Sequence, residues 1–125
     1  MPDHRVFCDT TPAHVVAVNQ LAYAVRDTSP VTPLHTLILP RRHVPSYFDL
    51  EPDEDRAIRR LLTAIGRDIM DSDPDVEGFN IGINVGAVAG QTIFHCHVHL
   101  IPRRRGDVAN PRGGVRAVIP GKANY

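Results

Sequence analysis

Apolar and polar positions change period several times along this chain, and each change marks an element. HVVAV (14–18) and LAYAVRD (21–27) are short β-branched or aromatic runs separated by Asn19-Gln20, which predicts an antiparallel hairpin. TSPVTP (28–33) is a turn cluster. LHTLILPRR (34–42) is apolar on both faces in its middle, so it predicts a central strand, and Pro40 should end its regular pairing. From Glu51 to Met70 the pattern becomes helical, with Ile58, Leu61, Leu62, Ile65 and Ile69 at three- and four-residue spacing. Pro52 and its neighbouring acids suit the start of that helix, and DSDPD (71–75) stops it. GFNIGINVG (78–86) alternates as a strand, AVAGQ (87–91) is a turn, and TIFHCHVHLIPR (92–103) is the last strand. Residues 104–125, rich in Gly, Pro and Arg, form an irregular C-terminal extension in this reading. The order predicts one α+β domain over 1–125: a five-stranded, mainly antiparallel sheet with the main helix packed on one face.

Composition narrows the function. A chain of 125 residues supports one core. No apolar run approaches the roughly 18–20 residues that cross a bilayer, so no membrane partner is expected. The N-terminus, MPDHRVFCDTTP, lacks the apolar centre of a signal peptide, and Cys8 and Cys96 make no disulfide framework. A cytoplasmic enzyme or binding protein is the expectation. Fourteen basic and fourteen acidic residues balance, which argues against a general nucleic-acid coat. The balance is uneven along the chain: residues 49–77 hold ten acids and four bases, residues 101–125 six bases and one acid. A basic end segment favours an anionic ligand nearby.

The chemistry concentrates in His95, His97 and His99. On a strand, alternate residues share a face, so the three imidazoles are expected side by side while Cys96, Val98 and Leu100 face the core. Three clustered imidazoles are costly as mere packing, because each needs a hydrogen-bond partner. Two functions fit the residues alone. One is a zinc site with imidazole ligands. The other is nucleophilic attack on phosphorus by one ring, with its neighbours fixing the tautomer. Gly90-Gln91-Thr92 before the triad, Asn84 on the preceding strand and Arg103, Arg104 and Arg105 after it are anion-holding groups, which favours phosphoryl or nucleotidyl chemistry.

The segment AGQTIFHCHVHLIPRRRGD resembles the signature of the histidine-triad (HIT) family, and in particular its diadenosine polyphosphate hydrolase and fragile-histidine-triad-like branch. PAHVVAVNQLAYAVRDTSPVTPLHTLILPRRHV is similar to the N-terminal half of that family, and INVG to its phosphate-contacting strand. The resemblance implies the HIT-like fold and a nucleotidyl hydrolase acting on the α-phosphate of dinucleoside polyphosphates. His97 would be the nucleophile that forms a nucleotidyl-histidine, and a nucleoside monophosphate would be released. It implies that His99 contacts the phosphate and supports the leaving group, and that His95 orients the site with His35 as its neighbour. Asn84, Gln91 and Thr92 would bind phosphate, Asp27 the ribose hydroxyls, and Val25, with Phe7, the purine base. No protein-bound metal is implied, magnesium entering only with the substrate, and the assembly implied is a homodimer. The alternatives on the same scaffold are an adenosine 5'-phosphoramidate hydrolase and a purine nucleotide-binding regulatory protein of weak activity. Plain structural roles stand beside these: Asp27 and Asn84 as turn residues, His35 as a core histidine, Gln91 and Thr92 as hairpin residues. Some family members carry Cys-x-x-Cys near the N-terminus. Here Arg5 takes the first position, leaving His4, Cys8 and His43 as a partial set.

Overall fold

The computed structural model describes residues 14–125. Phe7, His4 and Cys8 therefore lie outside the described residues. Five strands form one antiparallel sheet in the order β1-β2-β3-β5-β4: β1 is Val15–Val18, β2 Ala22–Arg26, β3 Thr36–Pro40, β4 Val76–Ile83 and β5 Val98–Arg104. The Asn19 side chain makes the first turn by accepting from the amides of Leu21 and Ala22, and its Nδ2 donates to Ala57 O, tying the hairpin to the helix. All five residues of β3 are buried, as its two-sided apolar pattern requires of a central strand.

Helix α1, Pro52–Ser72, begins with proline in its first turn and a reciprocal capping box between Glu51 and Glu54. It runs about 30 Å at 1.5 Å per residue and ends two residues beyond the expected Met70. Ala57, Ile58, Leu61, Ile65 and Ile69 bury one face against Ala22, Ala24, Ile38, Val98 and Leu100. Each fully buried aliphatic side chain contributes about 1.5–3 kcal/mol, so this interface is the principal source of stability. The helix has no stretch long and apolar enough to cross a membrane.

Register divides the sheet into two kinds of row. Ala17, Ala24, Ile38, Val98 and Ile83 pair across the strands and belong to the helix-side core. The next row, Val15, Val25, Leu37, His99 and Gly82, alternates to the opposite face. There Val25, Leu37 and Leu39 form a second apolar cluster with Val15, Tyr23 and Ile93.

All five strands are shorter than the apolar pattern predicts; β4 runs from Val76 to Ile83 and so leaves Asn84 just beyond it, and β3 and β5 differ most. β3 starts at Thr36 because Leu34 adopts a left-handed φ of 72° and His35 N bonds to Thr32 O, which turns the chain instead of extending it. β5 starts at Val98 because Cys96 N donates to Val44 O at 2.7 Å, a loop partner outside the ladder. Residues 114–118 of the tail form a 3-10 helix that contacts β4. Arg112 and Arg116 lie over the Tyr125 ring, 5.3 and 4.4 Å from its centroid.

Candidate active site

His97 and His99 meet at the start of β5 with ring centroids 5.1 Å apart. Val98 and Leu100 fill the helix-side core, so strand alternation sends His99 to the other face, beside Leu37 and Gly82. Among the described residues, a Cβ at Gly82 would meet nothing within 4 Å on the β4 side of His99. The strand alternation expected for His95 does not apply. It sits in the bend before β5, its side chain is fully buried, and its Nε2 lies 2.8 Å from Pro40 O.

The pairing of the outer histidines also differs from expectation. His35 was expected beside His95, yet its Nε2 lies 3.0 Å from His99 Nδ1. The ring beside His95 is His43, edge-on at 5.1 Å. The reason is register: Leu37 pairs with His99, which brings the residue two positions earlier in β3's approach alongside the same ring. Burial and the neighbouring His97 and His35 rings push the His99 pKa down to about 4. Burial lowers that of His35 as well, opposed by Asp27. Both rings are therefore neutral near pH 7.

His97 is held differently. Its Nδ1 lies 2.8 Å from the carbonyl oxygen of His95. A carbonyl only accepts, so Nδ1 carries the proton, and in the neutral ring Nε2 keeps its lone pair. That is the arrangement a nitrogen nucleophile needs. Cys96, between the two histidines, is buried and its thiol is pushed up to about 11, which makes it inert beside them.

The remaining candidates separate by how far the protein already engages them. Gln91 is 5% exposed and its amide closes the loops: Oε1 accepts from Gly86 N, and Nε2 donates to Pro45 O and Ile93 O. Asn84 follows β4 directly, and neither its amide nor the Thr92 hydroxyl bonds to any described residue. Asp27 Oδ1 accepts from Ser29 N, the Asx turn that its neighbourhood allows, while Oδ2 lies 3.6 Å from His35 Nε2, beyond hydrogen-bond reach. Val25 is in the apolar cluster across from Leu37. Each of the three arginines after the triad faces an acid: Arg103 pairs with Asp107 and donates to Asn80, Arg104 pairs with Asp73, and Arg105, still exposed, with Glu77. The backbone groups that hold the rings, the carbonyls of His95 and Pro40 and the amide of Val31, carry no sequence signal.

Among the described residues, Asp27, His35 and His99 are the group whose donor atoms, all within 4.8 Å of one another, could surround a metal ion. The 3.0 Å contact between His35 Nε2 and His99 Nδ1 closes as a hydrogen bond when one of the two rings carries the proton between them.

The family profile described as HIT domain matches residues 9–106. The chain belongs to the HIT domain family. This HIT chain is 33% identical over 96 residues to the bifunctional bis(5'-adenosyl)-triphosphatase/adenylylsulfatase FHIT of Arabidopsis thaliana, covering 77% of the chain and 53% of that protein. It is 37% identical over 90 residues to the asymmetrical bis(5'-nucleosyl)-tetraphosphatase of Schizosaccharomyces pombe, covering 70% of the chain and 48% of that protein. It thus spans about half the length of these two relatives. A crystal structure of a HIT family protein from Bacillus anthracis superposes with a TM-score of 0.73 at 35% identity, over 81% of this chain and 71% of that one.

Proposed function

We propose that this HIT domain is a nucleotidyl hydrolase acting on the α-phosphate of dinucleoside polyphosphates. The observation that carries the proposal is the hydrogen bond from His97 Nδ1 to His95 O, which leaves Nε2 with the lone pair. In the reaction Nε2 attacks the α-phosphorus, an N–P bond forms, and the bond from phosphorus to the bridging oxygen breaks. The remaining nucleotide leaves with that oxygen. The nucleotidylated ring is cationic, and its Nδ1–H still bonds to the His95 carbonyl, which stabilises the charge. Water then attacks phosphorus and releases a proton to solvent, the N–P bond breaks with its electron pair returning to Nε2, and a nucleoside monophosphate departs.

His99 supports the leaving oxygen in this reading, and the uncommitted Asn84 amide and Thr92 hydroxyl bind phosphate oxygens. Asp27 accepts from the ribose, and the cluster around Val25 and Leu37 underlies the base. His95 and Gln91 position the segment. The name of the Schizosaccharomyces relative and the first half of the Arabidopsis one support a dinucleoside polyphosphate, while the second half of the Arabidopsis name, adenylylsulfatase, makes adenylyl sulfate the competing substrate. We take the protein as a homodimer, because β4 lies at the sheet edge where a second copy could extend the ladder.

The test is rapid quenching with diadenosine triphosphate, diadenosine tetraphosphate, adenylyl sulfate and adenosine 5'-phosphoramidate in parallel, followed by intact-mass and peptide mapping. The expected result is an adenylyl adduct on His97, fastest turnover on a dinucleotide, and loss of both in His97→Asn. An adduct elsewhere, or turnover retained by that variant, sinks the proposal. Faster turnover of the phosphoramidate overturns the substrate class while keeping the nucleophile.

A further inference from the structure

We infer that the backbone amide of Val31, held by the loop of residues 28–34, sets the proton on the ring nitrogen that His99 turns toward the leaving group. The inference rests on the reaction proposed above. It begins at the loop end. Val31 N lies 3.1 Å from His35 Nδ1, and an amide N–H only donates, so Nδ1 accepts. A neutral imidazole has one proton, so His35 carries it on Nε2. That nitrogen is 3.0 Å from His99 Nδ1, which must accept, and the His99 proton therefore stands on Nε2. The two reactive rings end in complementary states: a lone pair on His97 Nε2, set by a carbonyl, and a proton on His99 Nε2, set by an amide.

The chain of donors has a direction. Each hydrogen bond polarises the next, so Val31 makes His35 a better donor and His35 makes His99 a better donor to a developing oxyanion. It is not a proton wire, because an amide cannot surrender its proton at neutral pH. Asp27, which could have drawn a proton from His35, stands 3.6 Å from Nε2, outside hydrogen-bond range. His99 thus acts by donation, without becoming charged.

The loop is built to hold that amide. Thr32 Oγ1 donates to Pro102 O at 2.6 Å, Arg104 Nη2 donates to Pro33 O, Thr36 Oγ1 donates to Leu34 O, and Asp27 N donates to His35 O. Leu34 is kept at φ 72°, a conformation leucine adopts only when its surroundings enforce it. The Val31 side chain is 70% exposed. What the site uses at this position is the backbone N–H.

Nitrogen-15 NMR of histidine tautomers in the ligand-free protein, joined to steady-state kinetics, tests this. The wild type should show Nε2–H at His35 and His99 and Nδ1–H at His97. Val31→Pro removes the donor and should lower kcat about tenfold with KM nearly unchanged, while the His35 and His99 tautomers mix. Val31→Ala keeps the amide and should behave as wild type in both readouts. Nδ1–H at His35 in the wild type, or unchanged kcat in a folded Val31→Pro, overturns the inference. If Val31→Pro does not fold, the wild-type spectrum decides alone. Failure of the proposed reaction would instead appear as no turnover of any substrate with the tautomers as assigned.

Discussion

Acidification probes how the imidazole pair is held. The His99 pKa falls from 6.5 to about 4, through burial first and the His97 and His35 rings second. Between those values the unfolded chain binds a proton at this position that the folded chain excludes. Its contribution to stability is therefore complete above pH 6.5 and is lost as pH falls through 4. The full displacement corresponds to about 3 kcal/mol. His99 is only partly buried, and solvent screening reduces this to about 1–2 kcal/mol. The assay is urea unfolding at pH 7, 5.5 and 4.5 for the wild type and His99→Gln. Carboxylates held low by arginine, Glu54 and Asp73 among them, begin to titrate at the acid end in both proteins, so the difference between the two is the observable. The wild type should lose about 1 kcal/mol more than the variant across this range. Parallel pH profiles would refute the account of a neutral, desolvated ring.

Glu54 caps Glu51 N and pairs through both carboxylate oxygens with Arg42, so Glu54→Ala should cost about 1–2 kcal/mol in urea unfolding, with KM unchanged. Gln91→Leu removes the partners of Gly86 N, Pro45 O and Ile93 O together. It should cost about 2–3 kcal/mol and lower kcat by loosening the segment before His97, read by thermal unfolding and single-turnover kinetics. Deleting residues 111–125, which carry Arg112 and Arg116, should raise KM for dinucleotides more than affinity for a mononucleotide falls. Equal kinetics in a folded truncation would remove the tail from substrate binding.

The chain alone determined what neighbours in sequence can encode. The helix was legible because its apolar spacing, proline and capping acids all lie within its own turns. The central position of β3 was legible from apolar residues on both faces, and the core-facing pair Val98 and Leu100 from simple alternation. The triad histidines stood out because three imidazoles in five residues have no cheap structural explanation. Only the tertiary structure decided which partner each ring meets. His35 meets His99, and His43 meets His95, through pairings across tens of residues that no local pattern specifies. The start of β5 depends on a bond from Cys96 to Val44, and the arginines after the triad are paired with acids from the helix end, β4 and the following turn. Tautomers lie furthest from the sequence, because they are set by backbone carbonyls and amides, which every residue type but proline supplies alike.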